Sequence, residues 1–480
     1  MKTTMKTTIK IALLLFISAF AFQSCQDNDD IAQPQGLAIQ NFIWSGMNQF
    51  YLWQEDVPNL ANDRFADQAA LDAFLQGYPV PEELFDALRI DKTIDRFSWI
   101  VDDYLELEGQ LQGTTKNNGV EFGLSYKPGS STALFGYVRY VINNSDASTK
   151  NIKRGDVFTA VNGIQLTISN YQSLLFDANE NYTLNLADYN GTDFVANGKS
   201  VNLTKTILTE NPILINKVIT SGTRKIGYLM YNGFYSNFDG QLNDAFGFLK
   251  SQGITDLVLD LRYNGGGSVQ TATRLASMIT GQFTGQIFSK LEWNSNNSDK
   301  NTNYLFPSKI DAASINSVNM AKIYVLTTKG TASASELVIN GLKPYINVVQ
   351  IGDVTYGKNV ASITLYDSPT FGSTKRNPNH RYAMQPIVAK TSNSVGFGDY
   401  PNGLQPNFTI KETISTYGIL GDPSEPLLSY AIGKINGTNR MMRPNTTTDF
   451  EFFKDSKSMR RFQNEMYLEE APEGLLKALE

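Results

Sequence analysis

Ser333 sits in a run of small residues, Lys329-Gly330-Thr331-Ala332-Ser333-Ala334, and a segment of helical character begins near Ser335. A serine just before a helix meets loop amides and the positive end of the helix dipole, and both stabilise a developing negative charge. That is the setting of a hydrolytic nucleophile, and a hydroxyl nucleophile needs a base. The single histidine, His380, lies in the polar run Ser373-Thr374-Lys375-Arg376-Asn377-Pro378-Asn379-His380 and reads as a surface residue. Lys358, 25 positions after Ser333, is the other candidate. Burial in apolar surroundings strips a lysine of its charge. Moving its pKa from about 10.4 to near 7 takes roughly 4 kcal/mol, within what burial supplies. Spacing alone does not bring Ser333 and Lys358 together.

Glycine-rich stretches raise a rival chemistry. Gly265-Gly266-Gly267 is followed by Gln270 where the dinucleotide fingerprint requires its third glycine, so that motif fails. Gly352-Asp353-Val354-Thr355-Tyr356-Gly357-Lys358 fits seven positions of a phosphate-binding P-loop, but Asn359 replaces the magnesium-holding Ser or Thr. The alternating, β-branched run Val360–Tyr366 then stands where a phosphate-stabilising helix should begin. A nucleotide site is the weaker reading.

These loops need a frame. Asp256-Leu257-Val258-Leu259-Asp260-Leu261 has the apolar continuity of a buried strand, and Ser268 could cap the helix that follows, with Leu275, Met278 and Ile279. Ile323–Thr327 repeats the pattern before the Ser333 loop, and Asn347–Ile351 is the next strand. The rhythm predicts βαβ units and a buried parallel sheet, with both small-residue loops at the carboxyl ends of strands. Upstream, Ile39, Ile43, Met47 and Phe50 recur at helical spacing, with further helices near 69–75 and 81–88; residues 37–112 read as a small helical region with aromatic core residues. Between 113 and 207 the texture turns to short strands and turns. The run Asn294–Asn303 reads as an exposed loop.

Within 113–207, Ile152–Gly163 resembles the strand-turn-strand of PDZ domains in bacterial envelope proteases. The resemblance implies that Gly119, Val120, Glu121, Phe122 and Gly123 form a loop that captures a peptide carboxylate. The strings DLRYNGGGS, TKGTASASELVINGL and IGDVTYGKNV resemble the carboxyl-terminal processing peptidases, or tail-specific proteases. Gly403-Leu404-Gln405-Pro406-Asn407 and the segment from Asp422-Pro423 to Leu428 are similar to that family as well, so the resemblance covers about residues 113–432. It implies a PDZ-like β-rich domain on a crotonase/ClpP-like α/β core, with Ser333 as nucleophile and Lys358 as base. It further implies oxyanion-hole amides from Gly266 and Ala334, no metal and no cofactor. The family commonly has Gln four residues after the lysine; Ser362 stands there and is the candidate for orienting the base.

Lys+Arg number 41 and Asp+Glu 47, a formal charge of −6, so no domain-scale basic surface exists for nucleic acid. The one cysteine, Cys25, excludes internal disulfides and multi-cysteine metal sites. It follows Lys2, Lys6, Lys10 and an apolar run from Ile11 to Phe22 that is too short to span a bilayer. The segment resembles a lipoprotein signal in which Cys25 is acylated, implying a lipid-anchored envelope protein. The expected organisation is a signal peptide (1–24), tether (25–36), helical region (37–112), PDZ-like domain (113–207), Ser-Lys peptidase core (208–435) and tail (436–480). The expected activity is cleavage of proteins near their free C-termini. A non-catalytic peptide-binding or scaffolding lipoprotein is the rival.

Overall fold

The computed structural model describes residues 36–176, 179–438, 450–460, 464–469, 471 and 475. The expected signal peptide and Cys25 lie outside the described residues. In α1 (Ala38–Phe50), Ile39, Phe42, Ile43, Met47 and Phe50 share one face and are buried in the main core. Against it pack α2 (Gln68–Leu75), capped by the Asp67 carboxylate, and α3 (Pro81–Ala87), which has proline in its first turn.

The Asn-rich run from 294 onward is a correction to the sequence reading. It contains a 3-10 segment, Ser295–Lys300, and a strand, Thr302–Leu305, and Asn294 and Asn297 are buried. Asn294 Nδ2 donates to the carbonyls of Gln49 (3.1 Å) and Tyr51 (3.0 Å), and Asn297 Nδ2 donates to Gln49 O (2.7 Å). These two carboxamides bind carbonyls at the end of α1, so the run is capping at Asn294 and Asn297 and exposed at Ser295, Ser298, Asp299, Asn301 and Asn303.

Next comes an antiparallel sheet of β1 (Val120–Tyr126), β2 (Leu134–Val141), β3 (Val157–Val161), β4 (Asn181–Tyr189) and β5 (Phe194–Thr204), in that spatial order. Asn162 and Gly163, both at positive φ (52° and 78°), make the tight turn after β3 that their sequence foretells. A short helix, α4 (Tyr171–Leu175), closes a separate apolar cluster around Phe122, Phe158, Leu184 and Leu203.

Two six-stranded sheets, with smaller two- and three-stranded ones beside them, build most of the rest among the described residues. The first runs β6 (Ile213–Ser221), β7 (Arg224–Tyr231), β8 (Asp256–Asp260), then two strands after α5 (Val269–Thr280): β9 (Lys322–Thr327) and, beyond α6 (Ala334–Leu342), β10 (Asn347–Gly352). Strands β7 to β10 are parallel, as expected. Their two-residue period divides the side chains between two cores. Leu257 and Leu259 of β8, with Ile323 and Val325 of β9, join the cluster containing α5 and α6. Val258, Tyr324 and Leu326 face the other way, onto α7 (Pro426–Ile435). Burial on both faces explains the unbroken apolar runs.

The second sheet contains β11 (Val360–Ile363) and β12 (Ile387–Asn393). The tail, which carried no motif, contributes two strands. β13 (Phe452–Asp455) pairs antiparallel with β1, and β14 (Met466–Leu468) enters the second sheet between Gly267–Ser268 and β11. No helix among the described residues is long and apolar enough to cross a membrane.

Candidate active site

Ser333 precedes α6 with φ 63° and ψ −118°, a left-handed backbone that non-glycine residues rarely adopt. The surrounding loops hold it there. Asn264 O accepts from Ala332 N–H and Ser335 Oγ, both at 3.1 Å, and Thr331 Oγ1 donates to Leu261 O (2.8 Å). The glycine-rich loop after β8 and the serine loop after β9 are thereby joined. Below them, Arg262 has no exposed surface, and its guanidinium binds Asp260, Glu412 and Glu425. The Ser333 hydroxyl is fully buried and has no hydrogen-bond partner among the described residues.

Glu336, in the first turn of α6, is the pivot of the site. Its carboxylate accepts from Ser333 N–H (2.7 Å), Thr355 Oγ1 (2.5 Å), Gly357 N–H (2.7 Å) and Lys358 N–H (2.9 Å). One buried side chain therefore fixes the backbones of both Ser333 and Lys358. Burial holds its carboxyl above the ordinary glutamate value despite these donors. Gly357 (φ 93°) is obligatory in the lysine loop: a Cβ there would lie 2.3 Å from Pro401 O. The Gly403-Leu404 string supports the same loop, with Leu404 N–H donating to Thr355 Oγ1 at 2.7 Å.

Lys358 is fully buried, its Nζ 4.7 Å from the centroid of the Phe97 ring. Burial pushes the ammonium below the usual lysine value, opposed by the charges of Glu465, Asp95 and Glu336. Its Nζ donates to Glu465 Oε2 (2.7 Å), while Trp99 Nε1 donates to Glu465 Oε1 (3.0 Å). Glu465 was missed by sequence reasoning. It lies 107 residues beyond Lys358 in a segment without a motif, and only the closed fold brings it there.

The oxyanion candidates are close at hand. Ala334 opens α6, where the first N–H groups have no acceptor within the helix. Gly266 abuts the nucleophile, since a Cβ on it would stand 2.5 Å from Ser333 Cβ, but its N–H donates to Asn264 Oδ1 (2.9 Å). The neighbouring Gly267 N–H donates to the Glu465 carbonyl at 2.6 Å. Ser362 Oγ donates to Met466 O (3.3 Å), so the group on Lys358 Nζ is Glu465 and not the Ser362 hydroxyl.

The expected Gly119–Gly123 loop is a correction: Val120–Gly123 lie in β1, and Gly119 and Val120 donate their N–H groups to the side chains of Asn117 (2.7 Å) and Asn118 (3.1 Å). Phe122 N–H donates to Ser456 Oγ (2.9 Å), Glu121 is buried beside Arg460, and Gly123 faces Asp455 of β13. His380 departs from the expectation of a surface residue. It is 6% exposed, with Nε2 2.8 Å from Asp367 Oδ2 and Nδ1 accepting from Tyr382 N–H. The loop folds back over the ring and satisfies both nitrogens. Among the described residues, no group of three or more His, Cys, Asp or Glu side chains is placed to hold a metal ion.

Residues 225–373 match the model for peptidase family S41, and residues 38–99 match that for the peptidase S41 N-terminal domain. A "Probable CtpA-like serine protease" of Staphylococcus aureus strain N315 is 28% identical over 225 residues, 46% of this chain and 42% of that protein. Its counterpart in Staphylococcus epidermidis strain ATCC 12228 is 29% identical over 139 residues, 29% of this chain and 26% of the other. The chain thus spans less than half the length of these curated relatives. A candidate S41 protease crystallised from Bacteroides fragilis NCTC 9343 superposes with a TM-score of 0.65 at 26% identity, covering 82% of this chain and 97% of that one.

Proposed function

Because the chain belongs to peptidase family S41, we propose that it is a serine endopeptidase with Ser333 as nucleophile and Lys358 as general base. Neutral Lys358 takes the hydroxyl proton as Ser333 Oγ attacks a peptide carbonyl, and the resulting ammonium returns that proton to the leaving amine. Water then hydrolyses the acyl-enzyme ester, with Lys358 again accepting a proton. The Ala334 amide stabilises the tetrahedral oxyanion, and the Gly266 amide joins it once it turns from Asn264 Oδ1.

The observation that carries this reading is the Glu336 carboxylate, which bonds the backbone N–H of both Ser333 and Lys358 while the two side chains remain wholly buried. A dry site of that kind favours an uncharged amine. In the same reading, residues 113–207 form a PDZ-like module that gathers substrate tails, and residues 208–435 form a crotonase/ClpP-like core. Acylation of Cys25 holds the enzyme in the cell envelope.

The test compares the wild type with Ser333→Ala and Lys358→Ala on an unfolded protein and on substrates differing only in their last few residues. Loss of cleavage in both variants, and discrimination among the tails, is expected. Equal cleavage by wild type and Ser333→Ala removes Ser333 from the mechanism, whereas no cleavage by the wild type, with the tails still bound, leaves a peptide-binding lipoprotein as the function.

A further inference from the structure

Two described pieces of the tail, residues 450–460 and 464–469, cover both places that a substrate would have to reach. In β13, Phe452 pairs with Ser125 and Asp455 with Gly123 on the free edge of β1. Beyond that strand, Ser456 N–H donates to Phe122 O (2.8 Å), and Ser456 Oγ in turn accepts from Phe122 N–H (2.9 Å). The ring of Phe453 lies between Tyr126 of β1 and Tyr171 of α4, with centroids 5.5 and 5.2 Å away. This is how an extended peptide adds to a sheet edge, with main-chain pairing plus a side chain in a flanking recess.

Farther along, Glu465 occupies the chemical centre. Its carboxylate takes the Lys358 ammonium, and its carbonyl takes the Gly267 N–H. Met466–Leu468 then fills the slot between the glycine-loop strand and the strand that follows Lys358. A cleft of about 570 Å³ borders Gly265, Gly330, Tyr356 and Asn464, but between Gly265–Gly267 and Lys457, Glu465 and Tyr467 the void is only about 10 Å³. That is no more than a single water molecule needs. The Ser333 hydroxyl has no hydrogen-bond partner among the described residues, and the Lys358 amine is paired with Glu465.

The order of the two contacts excludes a productive substrate pose. A bound tail that ended at Gly119, where β1 begins, would present only bonds on its N-terminal side. Here residues 452–456 fill the groove, and the part at Ser333 is C-terminal to them. The segment fits both subsites in reverse sequence, as a plug.

We infer that residues 450–460 and 464–469 belong to an intramolecular inhibitory strap, with Phe453 seated beside the edge of β1 and Glu465 holding the Lys358 amine. The inference rests on the Ser-Lys peptidase reading. Substrate enters only when the strap is displaced, and an extended peptide with an aromatic side chain at the Phe453 position is the ligand class that displaces it.

The test uses the full chain and two substitutions at opposite ends of the strap, Glu465→Gln and Phe453→Ala, assayed on an unfolded protein. Each should raise cleavage at pH 7 about five-fold or more, and the double variant should exceed the better single variant only slightly, because one device is being opened. Glu465→Gln should also move the rising limb of the pH–rate profile to lower pH, since it removes an anion that favours the charged amine. Phe453→Ala, which frees the same strap, should move that limb in the same direction but less far. Unchanged or reduced cleavage in both variants overturns the strap; reduction in Glu465→Gln alone makes Glu465 a positioning residue for Lys358 and overturns the lock. Ser333→Ala in each background separates this from the underlying reading: stimulated cleavage that survives it refutes the Ser333 mechanism, not the strap.

Discussion

Glu336 gathers four donors within 2.5–2.9 Å and is itself fully buried. Replacing it with alanine strands those donors in an apolar interior, and each buried unsatisfied group costs about 1–3 kcal/mol. Glu336→Ala should therefore lower stability by at least about 3 kcal/mol, measured by denaturant unfolding, and abolish cleavage. Glu336→Gln keeps the shape but turns one acceptor into a donor facing other donors. It should fold with a lower Tm and lose most of kcat. Gly266→Ala is a more local test: its Cβ would lie 2.5 Å from Ser333 Cβ and 2.6 Å from Glu465 O, on a backbone at φ 114°. Inactivation with a modest loss of stability is the expected outcome, checked by activity and thermal melting together. At this scale the sequence was informative. Ser333, Lys358 and the glycine loop are recognisable from residue type and order, whereas Glu465 is one carboxylate among many until the chain closes.

Elements meet at a buried charge cluster. Arg154, from the turn before β3, binds Glu412 Oε1 (2.6 Å) and the Tyr263 hydroxyl (2.7 Å), while Arg262 binds the same Glu412 oxygen at 2.7 Å. The β-rich sheet is thus pinned to the loop that carries Gly265–Gly267. Burial alone would raise the Glu412 carboxyl, but Arg154 and Arg262 overcome it and bring it down to about 2. The folded value lies below the ordinary 4.5, so this contribution to stability is complete above pH 4.5 and is lost as pH falls toward 2. Arg154→Ala should cost about 3–5 kcal/mol, because it leaves a buried carboxylate with one cation fewer. It should also shrink the acid-induced loss of stability, as followed by unfolding between pH 5 and 2.5. Strand and helix positions in the core were legible because parallel strands covered on both faces must be apolar throughout. The Asn294–Lys300 segment was not, since a carboxamide that caps a distant helix has the same local signature as one in solvent.

Across the whole molecule, the first 35 residues set the expected anchoring and lie outside the described structure, while the tail was the part that sequence could not read. Strands β13 and β14 have three or four residues each, too short for a periodic pattern, and each is defined by its partner strand. Short strands of this kind are specified by the edge they complete.

That β13 belongs to the same polypeptide as the edge it covers has a kinetic corollary. A tethered segment competes with any free peptide at an effective concentration in about the millimolar range. A visitor with micromolar intrinsic affinity would then appear roughly a thousand-fold weaker whenever the tethered rival is itself a micromolar binder. Abundant, weakly matching chain ends would be ignored, while a polypeptide gripping more than one place at once could still prevail. Selectivity of this sort comes from rivalry within the molecule, without any finer fit between groove and ligand.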